Sequence, residues 1–139
     1  MKVLFDSSIY IRSLRDEGVA GLALLRWLGP RPIWGSSVVL EELYAGVSSR
    51  DHRIVQKIEL EFERVNRLLV PNQRDWSHAG LLLNRIANRY GHECVGRSRL
   101  TNDALIATSA ARCGIEVVTG NARDFARLAE FCPLQWRVG

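Results

Sequence analysis

Three short acidic stretches stand far apart in this chain: Phe5-Asp6-Ser7-Ser8, Glu42-Leu43-Tyr44-Ala45-Gly46 and Asn102-Asp103-Ala104-Leu105-Ile106-Ala107. The first follows an apolar strand-like run, and the other two begin or sit inside amphipathic helices. An α/β fold would bring all three to one edge of a sheet. Carboxylates crowded there repel one another and hold protons unless a cation neutralises them. A hard oxygen cage of few protein ligands and several waters suits Mg²⁺ or Mn²⁺. Such an ion activates water and screens the charge that develops on a phosphate. The expected chemistry is therefore metal-assisted hydrolysis at a phosphate.

Singly, each carboxylate has a plainer use. Asp103 suits the positive end of a helix. Glu42 suits a solvated helix face, and its neighbour Glu41 competes for the same assignment. Asp6 is harder to explain that way, because a carboxylate directly after a strand rarely helps stability.

The elements that would position these groups follow from the hydrophobic pattern. Lys2-Val3-Leu4-Phe5 reads as a short buried strand ending at Asp6. Ser7 or Ser8 would cap a helix running through Leu14. A second helix is expected over residues 19–28, closed by Gly29-Pro30. Arg31 to Gly35 reads as a strand, and Ser36 or Ser37 caps a helix ending at Gly46. Ser48 with Asp51 resembles a capping box before a helix carrying Ile54, Ile58, Phe62, Val65 and Leu69. Leu68 to Pro71 can form a brief strand. A helix over residues 75–90 places Trp76, Ala79, Leu83, Ile86, Ala87 and Tyr90 on one face. Residues 92–100 read as a polar loop, and Thr101 or Asn102 caps the next helix, which ends near Gly114. Ile115 to Thr119 is a strand, residues 121–125 open a last helix, and residues 134–138 form an edge strand.

Strand and helix in alternation imply βαβ crossovers and an α/β fold with a mainly parallel sheet. Ligands then gather beyond the carboxyl ends of the strands. Asp6 and Thr119 both belong on that edge. Asp103 shares a helical stripe with Ile106, Ala107 and Ala110, at the rim of the core.

Length and composition agree with one domain spanning residues 1–139. A chain of this size buries roughly two thirds of its unfolded surface, so it folds without disulfides or structural metal. Cys94, Cys113 and Cys132 are odd in number and widely spaced, which argues against a disulfide framework and a zinc site. Reduced thiols point to the cytoplasm. No signal peptide is expected, because Asp6 interrupts the first apolar run. The greasy stretch at 19–28 carries Arg26 and is too short to span a bilayer. The formal net charge is +4 and nearly all positive charge is arginine, with Lys2 and Lys57 the only lysines. Guanidinium groups suit bidentate contact with phosphate. Arg85, Arg89, Arg97 and Arg99 fall around the segment leading to Asp103 and are the candidate nucleic-acid contacts. The tryptophans read as core or interface anchors.

The four acidic or polar motifs together resemble the PIN-domain ribonucleases, in particular the VapC-type toxins. The matching pieces are Leu4-Phe5-Asp6-Ser7-Ser8, Glu42 to Gly46, Asn102 to Ala107, and the Val-Thr-x-Asn-x-x-Asp-Phe run from Val118 to Phe125. The resemblance covers nearly the whole chain. It implies a three-layer α/β/α sandwich, Mg²⁺-dependent endoribonuclease activity, a small cognate antitoxin and a homodimer. Asp6, Glu42 and Asp103 match the family's acidic positions, as catalytic and metal-binding residues. Asn121 stands where many relatives have Asp, and Asp124 follows three residues later. Either can complete the site. Ser7, Ser8, Thr119 and Asn121 can hydrogen-bond the carboxylates or the waters of the ion.

Other readings are an RNA-processing PIN nuclease without an antitoxin, and a non-catalytic RNA-binding module. An aspartyl-phosphate phosphatase would want a second Asp two residues after Asp6, where Ser8 stands.

Overall fold

The computed structural model describes residues 2–17, 32–97 and 100–139; the side chains of residues 17 and 97 are not described. Five strands, β1 (Val3–Phe5), β2 (Ile33–Ser36), β3 (Leu68–Leu69), β4 (Glu116–Thr119) and β5 (Trp136–Val138), form one sheet in the order β3-β2-β1-β4-β5. Every recorded pairing is parallel, with Val3 opposite both Ile33 and Glu116 and Phe5 opposite Val118. Among the described residues the α-helices are α1 (Ser7–Glu17), α2 (Ser37–Gly46), α3 (His52–Arg64), α4 (Gln73–Tyr90), α5 (His92–Arg97), α6 (Leu100–Cys113) and α7 (Ala122–Ala129). They flank the sheet in the expected α/β/α arrangement.

Alternation along the strands supplies both faces. Leu4 and Val117, opposite one another in register, join a large cluster with Leu43, Ile58, Phe62, Ile86, Ile106, Phe125 and Leu128. Val3 and Val118 point the other way and pack on Ile9 of α1. The sheet is narrow, so its centre is covered on both sides.

Local chemistry fixes the ends that matter for the site. Ser36 Oγ accepts from Val38 N at 3.2 Å and starts α2. Asn72 and Asp75 form a reciprocal capping box at the start of α4, each backbone N–H reaching the other side chain at 2.9 Å. Gly114, at φ 65°, turns the chain from α6 into β4, a conformation glycine adopts without penalty. Gly35 in β2 faces the Phe62 ring so closely that a Cβ there would overlap it.

Several expectations change. The segment 92–97 is a short helix rather than a loop. Ser7 begins α1 rather than capping it, and Ser8 turns its hydroxyl to Asp6 instead. Thr101 and Asn102 lie inside the first turn of α6, which starts at Leu100. Ser48 bonds the Asp51 side chain at 3.3 Å ahead of a single 3₁₀ turn, so no capping box forms there. On α4 the inward face holds Asp75, Ala79, Leu82, Ile86 and Ala87, while Trp76 is 55 % exposed and Tyr90 is also exposed. Trp76 is therefore no core anchor; Trp34 and Trp136 are half-buried against the core. The expected helix at 19–28, Trp27 and Arg99 lie outside the described residues.

Candidate active site

Two central strands end side by side and place their next residues at one edge. Asp6 N donates to Val118 O at 2.9 Å, which continues the ladder by one step beyond Phe5. The Asp6 side chain is thereby held at the top of the sheet, only 4 % exposed. Its Oδ2 accepts from the Thr119 hydroxyl at 2.8 Å and from the Ser8 hydroxyl at 3.1 Å. Thr119 Oγ1 in turn accepts from Asn121 N at 2.9 Å, and Ser8 Oγ accepts from Gly120 N at 3.0 Å. The turn after β4 is thus stitched to the turn after β1.

Helices α2 and α6 bring the other acids. Asp103 sits in the first turn of α6 and is buried. Asn121 bridges it to α7: its Nδ2 donates to Asp103 Oδ2 at 3.4 Å and to Asp124 Oδ2 at 2.9 Å. Asn121 occupies the cap position of α7 but makes no side-chain cap bond; its Nδ2 serves the two carboxylates. Glu42 of α2 is half-buried, whereas its neighbour Glu41 is exposed and accepts from Asn102 Nδ2 at 3.3 Å.

The electrostatics report the crowding. Asp103 is pushed up to about 8 by burial first, then by the charges of Asp6, Glu42 and Asp124, with the Asn121 amide opposing. Glu42 is pushed up to about 7 by burial and by Asp6, then Glu41, against hydrogen bonds from Ser7 and Asn102. Carboxyls that raise one another in this way share a space.

Two oxygens carry the chemical meaning. Asp6 Oδ1 and Glu42 Oε1 are buried and lack any hydrogen-bond partner. An orphaned buried acceptor costs about 1–3 kcal/mol, so two beside other carboxylates need an explanation. A hard divalent cation satisfies them, and a donor set made only of oxygens fits Mg²⁺ or Mn²⁺. Among the described residues no group of three or more Asp, Glu, His and Cys side chains is arranged to hold a metal ion.

The remaining expected residues divide. Asp6, Glu42, Asp103, Asn121, Asp124, Ser7, Ser8 and Thr119 come together. Arg85 and Arg89 are exposed on α4, with the Arg89 guanidinium 5.7 Å from the Tyr90 ring centre. Arg97 ends α5, and its side chain is not described. Sequence reasoning missed Asp75, 1 % exposed, which Arg112 grips through Nε at 3.0 and 3.1 Å and Nη2 at 2.9 Å. The Asn72-x-x-Asp75 spacing was the available signal for its capping role.

A five-stranded parallel α/β sandwich gathers its ligands beyond the carboxyl ends of the strands, the edge at which Asp6 stands. The chain belongs to the PIN domain family, whose model matches residues 3–131. Its fold is similar to a crystal structure of VapBC2 from Rickettsia felis bound to a promoter DNA fragment, with TM-score 0.67, 22% identity, and coverage of 100% of this chain and 99% of that one. DNA-bound VapBC from Salmonella typhimurium gives TM-score 0.68 and 22% identity over 99% and 98% of the two chains. FitAcB from Neisseria gonorrhoeae gives 0.60 and 17% identity over 98% and 96%. At these identities the likeness is one of fold. No curated protein matches the chain.

Proposed function

We propose that this protein is a metal-dependent endoribonuclease that hydrolyses RNA phosphodiester bonds in the cytoplasm and acts as the toxin of a VapBC-type pair. The observation that carries the reading is the pair of unpartnered buried oxygens, Asp6 Oδ1 and Glu42 Oε1, in a pocket shared with Asp103 and Asp124. Family membership supports a nuclease, and the VapBC and FitAcB folds support a small antitoxin as partner. The resemblance in sequence adds a homodimer.

Asp6, Glu42 and Asp103 would hold the ion, with Asp124 or the Asn121 amide oxygen completing the set. When bound, Mg²⁺ or Mn²⁺ supplies positive charge for the scissile phosphate and activates water. Thr119 and Ser8 fix the Asp6 carboxylate so that its free Oδ1 faces the pocket. Asn121 holds Asp103 and Asp124 at a set spacing while contributing no charge of its own. Glu42, whose crowding raises its pKa in the metal-free protein, would give up that proton on binding the ion. Arg85, Arg89, Arg97 and Arg99 would offset the acidic site for an approaching RNA backbone.

The test is RNA cleavage by wild type and Asp103→Asn, each with EDTA, Mg²⁺ or Mn²⁺. Wild type cleaves only with metal, and Asp103→Asn loses at least a hundredfold while remaining folded. Metal-independent cleavage, or full activity in Asp103→Asn, refutes the reading. Metal-dependent retention of RNA without cleavage would favour the RNA-binding module. A toxin further requires that expression arrest growth and that co-expressed antitoxin relieve it; cleavage without arrest would leave an RNA-processing nuclease.

A further inference from the structure

Arg64, Arg112 and Arg137 each grip a carboxylate, those of Glu61, Asp75 and Glu116. Arg127 of α7 is held by groups of another kind. Its guanidinium lies over the Tyr90 ring, 4.2 Å from the centroid, and its Nη1 donates to Cys94 Sγ at 3.0 Å. Neither a ring face nor a thiol cancels its charge. Glu130, three residues further on, accepts from the Tyr90 hydroxyl instead, and Asp124, three residues before, accepts from Asn121. Among the described residues no carboxylate pairs with Arg127.

This guanidinium is therefore oriented and uncompensated. It is half-buried, so part of its rotamer entropy is spent before any ligand arrives, and Nε and Nη2 stand outside its hydrogen bond. Stacking on an aromatic face and a flat fork for phosphate are properties of arginine that lysine lacks. Arg89 shares the same ring at 5.7 Å, which adds a second cation.

Two relationships bring this pair to the acidic pocket. Asp124 and Arg127 are three residues apart on α7, neighbours on its surface and about 4.5 Å apart along its axis. Asp75 near the start of α4 pairs with Arg112 near the end of α6, so these helices run antiparallel. Tyr90, the last residue of α4, then lies towards the end of α6 at which Asp103 stands.

We propose that Arg127 binds a phosphate of the RNA strand next to the one being cut, with Tyr90 and Cys94 as the positioning residues that set its fork. The assignment rests on the RNA-cleaving reading. An acidic pocket repels a polyanion, and a fixed guanidinium one turn from Asp124 offsets that repulsion where the strand crosses the rim.

Titration of a fluorescent single-stranded RNA with the Asp103→Asn protein in EDTA, over a series of KCl concentrations, tests this contact with no metal competing for phosphate. Arg127→Gln should weaken binding about tenfold or more, as for a hydrogen bond to a charged group. It should also reduce the slope of log affinity against log salt by about 0.7, the value for one phosphate of a single strand. Arg127→Lys should restore the slope without the affinity, because the charge returns and the fork does not. Tyr90→Leu should weaken binding at an unchanged slope. Arg64→Gln, an equal loss of charge on α3, should alter neither. An unaltered slope in Arg127→Gln, an equal fall in Arg64→Gln, or no RNA binding at all overturns the proposal. Where Arg127→Gln lowers the melting temperature, Arg127→Lys decides, and parental affinity in it is equally fatal. Metal-dependent cleavage by wild type with an unaltered Arg127→Gln slope removes this contact alone. RNA binding without any cleavage removes the nuclease reading and leaves the phosphate contact standing.

Discussion

The Thr119 hydroxyl donates to Asp6 Oδ2 at 2.8 Å and joins two strand ends 113 residues apart in sequence. The same oxygen of Thr119 accepts from Asn121 N, so one small side chain sets both Asp6 and the turn that carries Asn121. Thr119→Val keeps the shape and deletes the donor and acceptor. It should cost about 1–3 kcal/mol of stability, because Asn121 N loses its partner. It should also weaken Mn²⁺ binding by about 10–100-fold through the loss of orientation at Asp6. Calorimetric melting and a Mn²⁺ titration measure the two effects separately.

Stability of the metal-free protein should fall as pH rises. Asp103 and Glu42 are raised to about 8 and about 7 from ordinary values of 3.8 and 4.5. Between the ordinary and the raised value the folded chain keeps a proton that the unfolded chain has lost. Fewer protons on the unfolded state means that unfolding becomes easier with increasing pH. The contribution of these two carboxyls is thus intact below about pH 4 and is lost progressively up to about pH 8. In EDTA the melting temperature should drop by several degrees from pH 5 to pH 8, and Asp103→Asn should flatten much of that slope. A saturating divalent ion at one hundred times its Kd should return about 2.7 kcal/mol at the upper end. A wild-type melting curve indifferent to pH in EDTA would contradict the crowding.

Glu41 and Glu42 separate cleanly. Glu42 Oε1 is buried and unpartnered, while Glu41 is exposed and paired with Asn102. Glu42→Gln should lower kcat by about 10²-fold or more, as expected for a group acting on developing charge. Glu41→Gln should stay within about threefold, since surface substitutions are worth about 0.5 kcal/mol or less. Steady-state cleavage of one RNA by both variants decides it.

Gly35→Ala tests packing away from the acids. Its new methyl would meet the Phe62 ring, which is 2 % exposed and has little room to yield. Overpacking of this kind costs about 1–3 kcal/mol. A lower denaturation midpoint with an unchanged denaturant slope is the expected result.

Much of this architecture is legible in the chain, because alternation of apolar strands and amphipathic helices leaves few topologies. Val3-Leu4-Phe5 followed by Asp6 announces both a central strand and an acid at its end. What the sequence hides is any partner that is distant. Asp75 is buried because Arg112, 37 residues away, receives it. That pairing turns α4 by one position, so Asp75 faces inward and Trp76 outward, against what an apolar stripe alone predicts. The short helix His92–Arg97 escapes for another reason: it is mostly polar and too brief to show a period. Asn121 has the place of a helix cap, yet its side chain makes no cap bond and donates to Asp103 and Asp124.

The position of β1 has a consequence for how the protein is made. β1 precedes the other four strands in sequence yet is the middle one of the sheet, flanked by β2 on one side and β4 on the other. A nascent chain halted before Thr119 has one side of β1 incompletely paired, and its Asp6 has only the Ser8 hydroxyl of the two that orient it. The acidic edge is therefore assembled abruptly, only once β4 and the turn after it have been synthesised, and not by degrees along the way.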